Sequence, residues 1–272
     1  MLQLVVTVSL DEAELASDAL WGLGVVAVEE RATADAAVVE LWTSLGDEPG
    51  TADEVPAGFP WPYRFVEVDA AVAETWRRFA TPIEITPDLW VRPEWVDADG
   101  IPAGATVVVV EPGSTFGMGD HPTTVQCLRV VRHLVGAGMA VLDVGCGSGV
   151  LAVLAAMQGA EAVGVDIAPA SVPVTHHNAA INGVTVDVST TPLEEVEGEY
   201  DIVLANILAP VLVALADHLV RVVRPGGRLV ISGILAEPSR HQHVLDALVG
   251  LEVEDVATLD GWAAITLRRP AA

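Results

Sequence analysis

Three glycines at alternate positions, Gly145, Gly147 and Gly149, close the segment Val141-Leu142-Asp143-Val144-Gly145-Cys146-Gly147-Ser148-Gly149. An apolar run of strand character leads into them, and a helical pattern opens directly behind. In such a crossover a ligand lies outside the carboxyl end of the strand, where backbone lacking Cβ atoms approaches it most closely. Asp166 ends the next apolar segment, 21 residues after Gly145. That is where a carboxylate accepts hydrogen bonds from two ribose hydroxyls. Together these residues read as a nucleoside site, with glycine required because a Cβ would strike the nucleoside. Asp143 is placed near the polar tail of such a ligand.

Two further segments fall at the same edge. Asn206-Ile207-Leu208-Ala209 follows the apolar run 201–205. An amide there can hydrogen-bond a group bound at this edge, although Asn is also a common helix N-cap. The segment Phe116-Gly117-Met118-Gly119-Asp120-His121-Pro122-Thr123-Thr124 precedes the glycine-rich region. Pro122 suits the first turn of a helix, and Thr124 is a candidate donor to a ligand carboxylate from that helix start. His176, His177, His241 and His243 lack Cys or acidic partners at ligand spacing, so no metal site is expected. No nucleophile-elbow motif appears.

The elements that must position these residues follow from periodicity. From Ala140 onward strands and helices alternate: strands 140–144, 162–166, 185–189, 201–206 and 228–232, with helices 150–158, 169–182, 210–223 and 237–249 between or after them. Two closing strands, 251–257 and 262–267, flank Asp260-Gly261. This order predicts an α/β domain with a parallel sheet covered by helices on both faces. The terminal hairpin is unusual for a dinucleotide dehydrogenase. Upstream, strands 2–8, 25–28, 37–42 and 63–68 and helices from Ser9-x-x-Glu12 and over 70–79 predict a smaller N-terminal α+β domain of the ferredoxin-like sort. The reading divides the chain into a substrate-recognition domain over 1–60, a connecting segment over 61–110 and the ligand-binding domain over 111–272.

The 272 residues include 38 acidic and 13 basic side chains, all thirteen arginine, for a net charge of −25. Direct binding of nucleic acid is disfavoured, because it needs clustered cations. A basic partner is favoured. The N-terminus has no basic leader and no apolar run reaches ~18 residues, so no membrane association and a cytoplasmic location are expected.

The compact G-x-G-x-G spacing resembles the first motif of S-adenosylmethionine-dependent methyltransferases, whose ligand has no pyrophosphate. Glu111 through Thr124 resembles the pattern D-P-G-x-A-F-G-T-G-x-H-P-T-T of the ribosomal protein L11 methyltransferases, the PrmA family. Trp76-Arg77-Arg78-Phe79, Pro82-Ile83, Leu89 through Pro93, Asp143 through Gly149, Asp166, Asn206 through Ala209 and Ser232 through Leu235 are similar to the family's other segments. Met118 stands where threonine is usual, and Asp120 adds a charge beside His121. The resemblance implies a Rossmann-like, seven-stranded class I methyltransferase domain. Carried over by position, it implies S-adenosylmethionine contacts at Thr124, Gly145, Asp166 and Asn206; the reading of the residues adds Asp143, Gly147 and Gly149 to that site and makes Asn206, which orients the amine, the catalytic residue. The implied reaction is methylation of lysine amines and the α-amine of the basic ribosomal protein at the base of the large-subunit stalk, by a monomer. A methyltransferase acting on another protein lysine or on a small molecule is the alternative.

Overall fold

The computed structural model describes residues 2–21, 23, 25, 28–35, 37–43, 55, 56, 58–67, 80–111 and 119–271. The helix expected over 70–79, Trp76 through Phe79, Gly24 and Pro112 through Met118 lie outside the described residues. The chain forms two compact units, Met1–Ala80 and Thr81–Ala272.

In the first unit, β1 (Leu2–Ser9), α1 (Ala13–Trp21), β2 (Val28–Ala32), β3 (Val38–Thr43) and β4 (Tyr63–Glu67) give an antiparallel sheet of order β2-β3-β1-β4. Alternation in β3 turns Val39 and Leu41 inward against Leu4, Val6, Ala16 and Leu20. Trp42 lies outward on the other face, with the Arg31 guanidinium 4.1 Å from its ring centre. The Ser9–Glu12 capping box takes another form: Ser9 Oγ donates to the Glu12 carboxylate at 2.9 Å, and residues 10–12 wind as a 3₁₀ turn before α1. β4 pairs with β1 along five residue pairs and so joins this sheet, whereas the sequence reading put residues 61–67 in a connecting segment.

The second unit opens with β5 (Ile83–Thr86), β6 (Leu89–Pro93) and β7 (Thr106–Val110), a small sheet in which β6 and β7 run parallel. β5 and β6 went unread in the sequence. The elements α2 (Pro122–Leu134), β8 (Ala140–Val144), α3 (Val150–Met157), β9 (Glu161–Val165), α4 (Ser171–Ile181), β10 (Asp187–Ser189) and β11 (Tyr200–Asn206) follow. Then come α5 (Ala209–Ala214), α6 (Ala216–Val222), β12 (Val223–Leu235), α7 (Pro238–Ala247), β13 (Glu252–Leu259) and β14 (Trp262–Arg268). The seven-stranded sheet has the order β10-β9-β8-β11-β12-β14-β13. Its first five strands are parallel, and β14 inserts antiparallel between β12 and β13.

Successive residues of the central strands feed opposite cores, as a period of two requires. Val141, Ile202, Leu204 and Val230 pack with α2, α3 and β5–β7. Leu142, Val203, Ala205, Leu229 and Ile231 pack with Leu212, Leu219 and Val244 from α5, α6 and α7. The single helix expected over 210–223 breaks at Leu215 into α5 and α6.

Two carboxamides hold β7 to α4. Asn182 Oδ1 accepts from Val109 N–H at 2.9 Å while its Nδ2 donates to Val109 O at 2.7 Å. Asn178, one helical turn earlier and fully buried, repeats this pairing on Glu111, at 2.8 and 2.9 Å, and its Nδ2 also donates to Ser148 O at 2.8 Å. Four residues of helix rise ~6.0 Å, close to the ~6.6 Å of two strand residues, so the helix presents a surrogate strand edge. Asn178→Ala removes three hydrogen bonds worth about 1 kcal/mol each, so stability should fall by about 3 kcal/mol. Thermal unfolding should show the midpoint lowered by roughly 6–12 °C.

Candidate functional site

Gly145, Gly147 and Gly149 all adopt left-handed backbone, with φ of 72°, 55° and 75°. Gly145 N–H donates to Val165 O at 2.8 Å, tying the turn to the end of β9, and Gly149 N–H donates to Cys146 O at 2.8 Å. The reason for glycine differs from the sequence-based one at two of the three positions. A Cβ on Gly145 would overlap Ile207 Cγ2, and one on Gly149 would lie 2.5 Å from Thr175 Cγ2. These glycines answer to neighbours in the protein as well as to backbone sign.

Asp166 stands directly after β9, beside the turn. Its Oδ2 accepts from Gly147 N–H at 2.8 Å and its Oδ1 from Ala168 N–H at 2.8 Å. A carboxylate offers about four lone-pair sites, so each oxygen keeps acceptor capacity. The next side chain, Ile167, is 89% exposed. An isoleucine so exposed next to a half-buried carboxylate offers an apolar surface for a flat ligand, and sequence reasoning passed over it.

Asp143 lies beneath the turn, 1% exposed, and its Oδ2 accepts from Ala152 N–H in the first turn of α3 at 3.3 Å. Burial, with repulsion from Asp166, pushes its pKa up to about 7 against the hydrogen bond from Ala152. Burial likewise raises the Cys127 thiol to about 12 and holds the Cys146 thiol well above its ordinary value. Both cysteines are therefore protonated and inert at neutral pH.

On the other side of the turn, Asn206 ends β11 and Thr124 lies in the first turn of α2. Asn206 Nδ2 donates to Thr124 Oγ1 at 3.5 Å. Thr124 is 1% exposed and Asn206 half-buried. His121 caps α2: its Nδ1 accepts from Thr123 N–H at 3.4 Å, and its ring meets Trp262 edge-on with centres 5.1 Å apart. Burial lowers the His121 pKa against the pull of Asp120. The turn at 145–149, Asp166, Ile167 and the Asn206–Thr124 pair thus stand at the carboxyl ends of adjacent strands β9, β8 and β11, or at the helix start beside them. In open parallel sheets generally, ligands bind at this edge.

The sequence model of the family described as ribosomal protein L11 methyltransferase (PrmA) matches residues 64–270. The chain belongs to this family. Two PrmA relatives named ribosomal protein L11 methyltransferase come from Geobacter metallireducens and Geotalea daltonii. They are 43% identical over 71% of this chain and 40% identical over 72% of it. The matched stretches span 64% and 66% of those relatives, a little under two thirds of their length. A third, from Geobacter sulfurreducens, is 38% identical over 85% of this chain and 76% of its own. The crystal structure of a ribosomal protein L11 methylase from Lactobacillus delbrueckii subsp. bulgaricus aligns with a TM-score of 0.63 and 27% identity, over 70% of this chain and 98% of that one. The larger unit has the Rossmann-like fold of the class I methyltransferases.

Other residues weighed from the sequence of this PrmA-family chain serve the fold. His177 Nε2 pairs with Glu94 at 2.8 Å, and His241 Nδ1 bonds the Leu235 carbonyl at 2.7 Å. Among the described residues no group of three or more His, Cys, Asp or Glu is placed to hold a metal ion, and no helix is long and apolar enough to cross a membrane.

Asp143 makes stability depend on pH. Its acid form is favoured in the fold, so the unfolded chain ionises first, near pH 3.8, and the folded chain only near pH 7. The contribution is complete below pH ~4 and is lost as pH rises through about 7, at up to ~1.4 kcal/mol per pH unit. Urea melts should show the parent chain losing stability relative to Asp143→Asn between pH 5 and 7.5, and a constant difference would refute this.

Proposed function

We propose that the chain is an S-adenosylmethionine-dependent N-methyltransferase whose acceptors are lysine amines and the N-terminal α-amine of ribosomal protein L11. The observation that carries the reading is the Asp166 carboxylate, fixed by two backbone N–H groups beside a left-handed glycine turn, with exposed Ile167 next to it.

The residues fit the nucleoside. Asp166 retains lone pairs for both ribose hydroxyls, and Ile167 offers an apolar face to the base. A pyrophosphate fits poorly, because a backbone donor at the start of α3, Ala152 N–H, is already taken by buried Asp143. The half-buried Asp166 carboxylate instead favours a cation above the turn. S-adenosylmethionine supplies a methyl carbon on a cationic sulfur, which an amine lone pair displaces in line.

The chain's own contribution is positioning. Thr124 Oγ1 engages the Asn206 Nδ2 and so leaves the Asn206 carbonyl oxygen as the acceptor. That oxygen holds an N–H of the acceptor amine and turns its lone pair toward the methyl group. The amine must arrive unprotonated, which is easier for an α-amine of pKa ~8 than for a lysine of pKa ~10.4. His121 Nδ1 is engaged at the start of α2, 2.8 Å from Thr123 Oγ1 and 3.4 Å from Thr123 N, so it is not offered to the amine.

Labelled-methyl transfer to ribosomal proteins from cells lacking this enzyme tests the reading. The label should enter ribosomal protein L11. Label confined to another protein or to small molecules would favour the other acceptor class, and no label anywhere would remove the assignment. The acidic chain suits a basic acceptor. We place its action in the cytoplasm, as a monomer, without direct contact to nucleic acid or membrane.

A further inference from the structure

The bond between Asn206 Nδ2 and Thr124 Oγ1 is 3.5 Å long, at the weak limit for a hydrogen bond, and cannot by itself hold the amide. The next residue supplies a firmer seat. Ile207 Cγ2 occupies the space that a Cβ on Gly145 would fill, at the carboxyl end of β8. The Ile207 peptide occupies the space above Gly233: a Cβ there would lie 2.5 Å from Ile207 O and 2.9 Å from Ile207 C. Gly233 has φ of 80° and sits where the β12–β14 ladder shifts between Ile231 and Ile234. One residue thus rests on the two strands that flank β11, just past the end of β8 and within β12, through two missing side chains.

We infer that Ile207 is the positioning residue of this site: its Cγ2 methyl on Gly145 and its peptide on Gly233 fix the Asn206 amide relative to the glycine turn. The inference rests on the role proposed above for Asn206. A β-branched side chain is stiff about χ1, so a methyl on Cβ transmits position where a longer, freely rotating chain would not. The shape makes a specific demand. Valine keeps a methyl at the Cγ2 position, whereas leucine has the volume of isoleucine but no branch at Cβ. A residue that merely filled space would tolerate leucine at least as well as valine.

The test compares Ile207→Val, Ile207→Leu and Ile207→Ala with Asn206→Ala, using ribosomal protein L11 as acceptor. Turnover, KM and calorimetric affinity for S-adenosylhomocysteine are measured for each. Valine should stay within about threefold of the parent turnover, whereas leucine and alanine should lose about 30-fold or more, since misplacement near 1 Å costs up to ~100-fold. Affinity for S-adenosylhomocysteine should change less than about threefold in all of them, because the turn keeps its own hydrogen bonds to Val165 and Cys146. Adding Ile207→Ala to Asn206→Ala should cost little more, since both act through one amide. Leucine equal to valine, with Asn206→Ala inactive, would overturn the inference and leave the Asn206 role standing. Full turnover by Asn206→Ala would overturn both.

Discussion

Asp166→Ala should weaken binding of S-adenosylhomocysteine by roughly 100- to 10,000-fold while the chain stays folded. Two hydrogen bonds from ribose hydroxyls to a charged acceptor are lost, each worth ~1.5–3 kcal/mol, and every 1.4 kcal/mol is tenfold in affinity. The same change removes the acceptors of Gly147 N–H and Ala168 N–H, so the turn keeps only its backbone bonds to Val165 O on the β9 side. Asp166 is half-buried and outside both cores, so circular dichroism should register little. Asp166→Asn keeps one acceptor oxygen and should fall between the two. Calorimetry decides, and near-parental affinity in the alanine variant would remove the nucleoside site from this edge.

Asn206→Ala should behave in the opposite way. Turnover should fall ~100- to 1,000-fold, the scale of losing one preorganised polar contact at a reacting centre, while S-adenosylhomocysteine affinity stays within about threefold. Asn206 lies in register with Ser232 of β12, so its backbone is held by the sheet and truncation leaves the strand intact. Asn206→Asp tests the same point from the other side. A carboxylate there accepts from the amine but also favours its protonated form, so its activity should recover as pH rises.

The contrast between these variants separates holding the nucleoside from holding the amine, and the two differed in legibility. Gly145, Gly147, Gly149 and Asp166 announce themselves because strand, turn and carboxylate follow one another locally. The β13–β14 hairpin was equally plain, two strand-like runs around Asp260-Gly261, with Asp260 in left-handed backbone at φ 47°. The reason for two of the glycines was not legible, because Ile207 and Thr175 meet them from 62 and 26 residues away. Asn178 and Asn182 carry no local signal of their role. Their bonds to Glu111 and Val109 span 67 and 73 residues, and only the folded chain brings them together. The β5–β6 hairpin escaped notice because its strands are only four and five residues long and are bracketed by Pro82, Pro87 and Pro93. Leu215 breaks the helix after β11 without a Gly or Pro to signal it, its φ of −96° and ψ of 5° ending α5.

The nucleoside site should take a compact sulfonium ligand and refuse a dinucleotide. Titration of the purified chain with S-adenosylmethionine and, separately, with NAD probes this most directly. Saturable heat with the first and none with the second is the expected result. Heat with NAD alone, or with neither ligand, would contradict the claim.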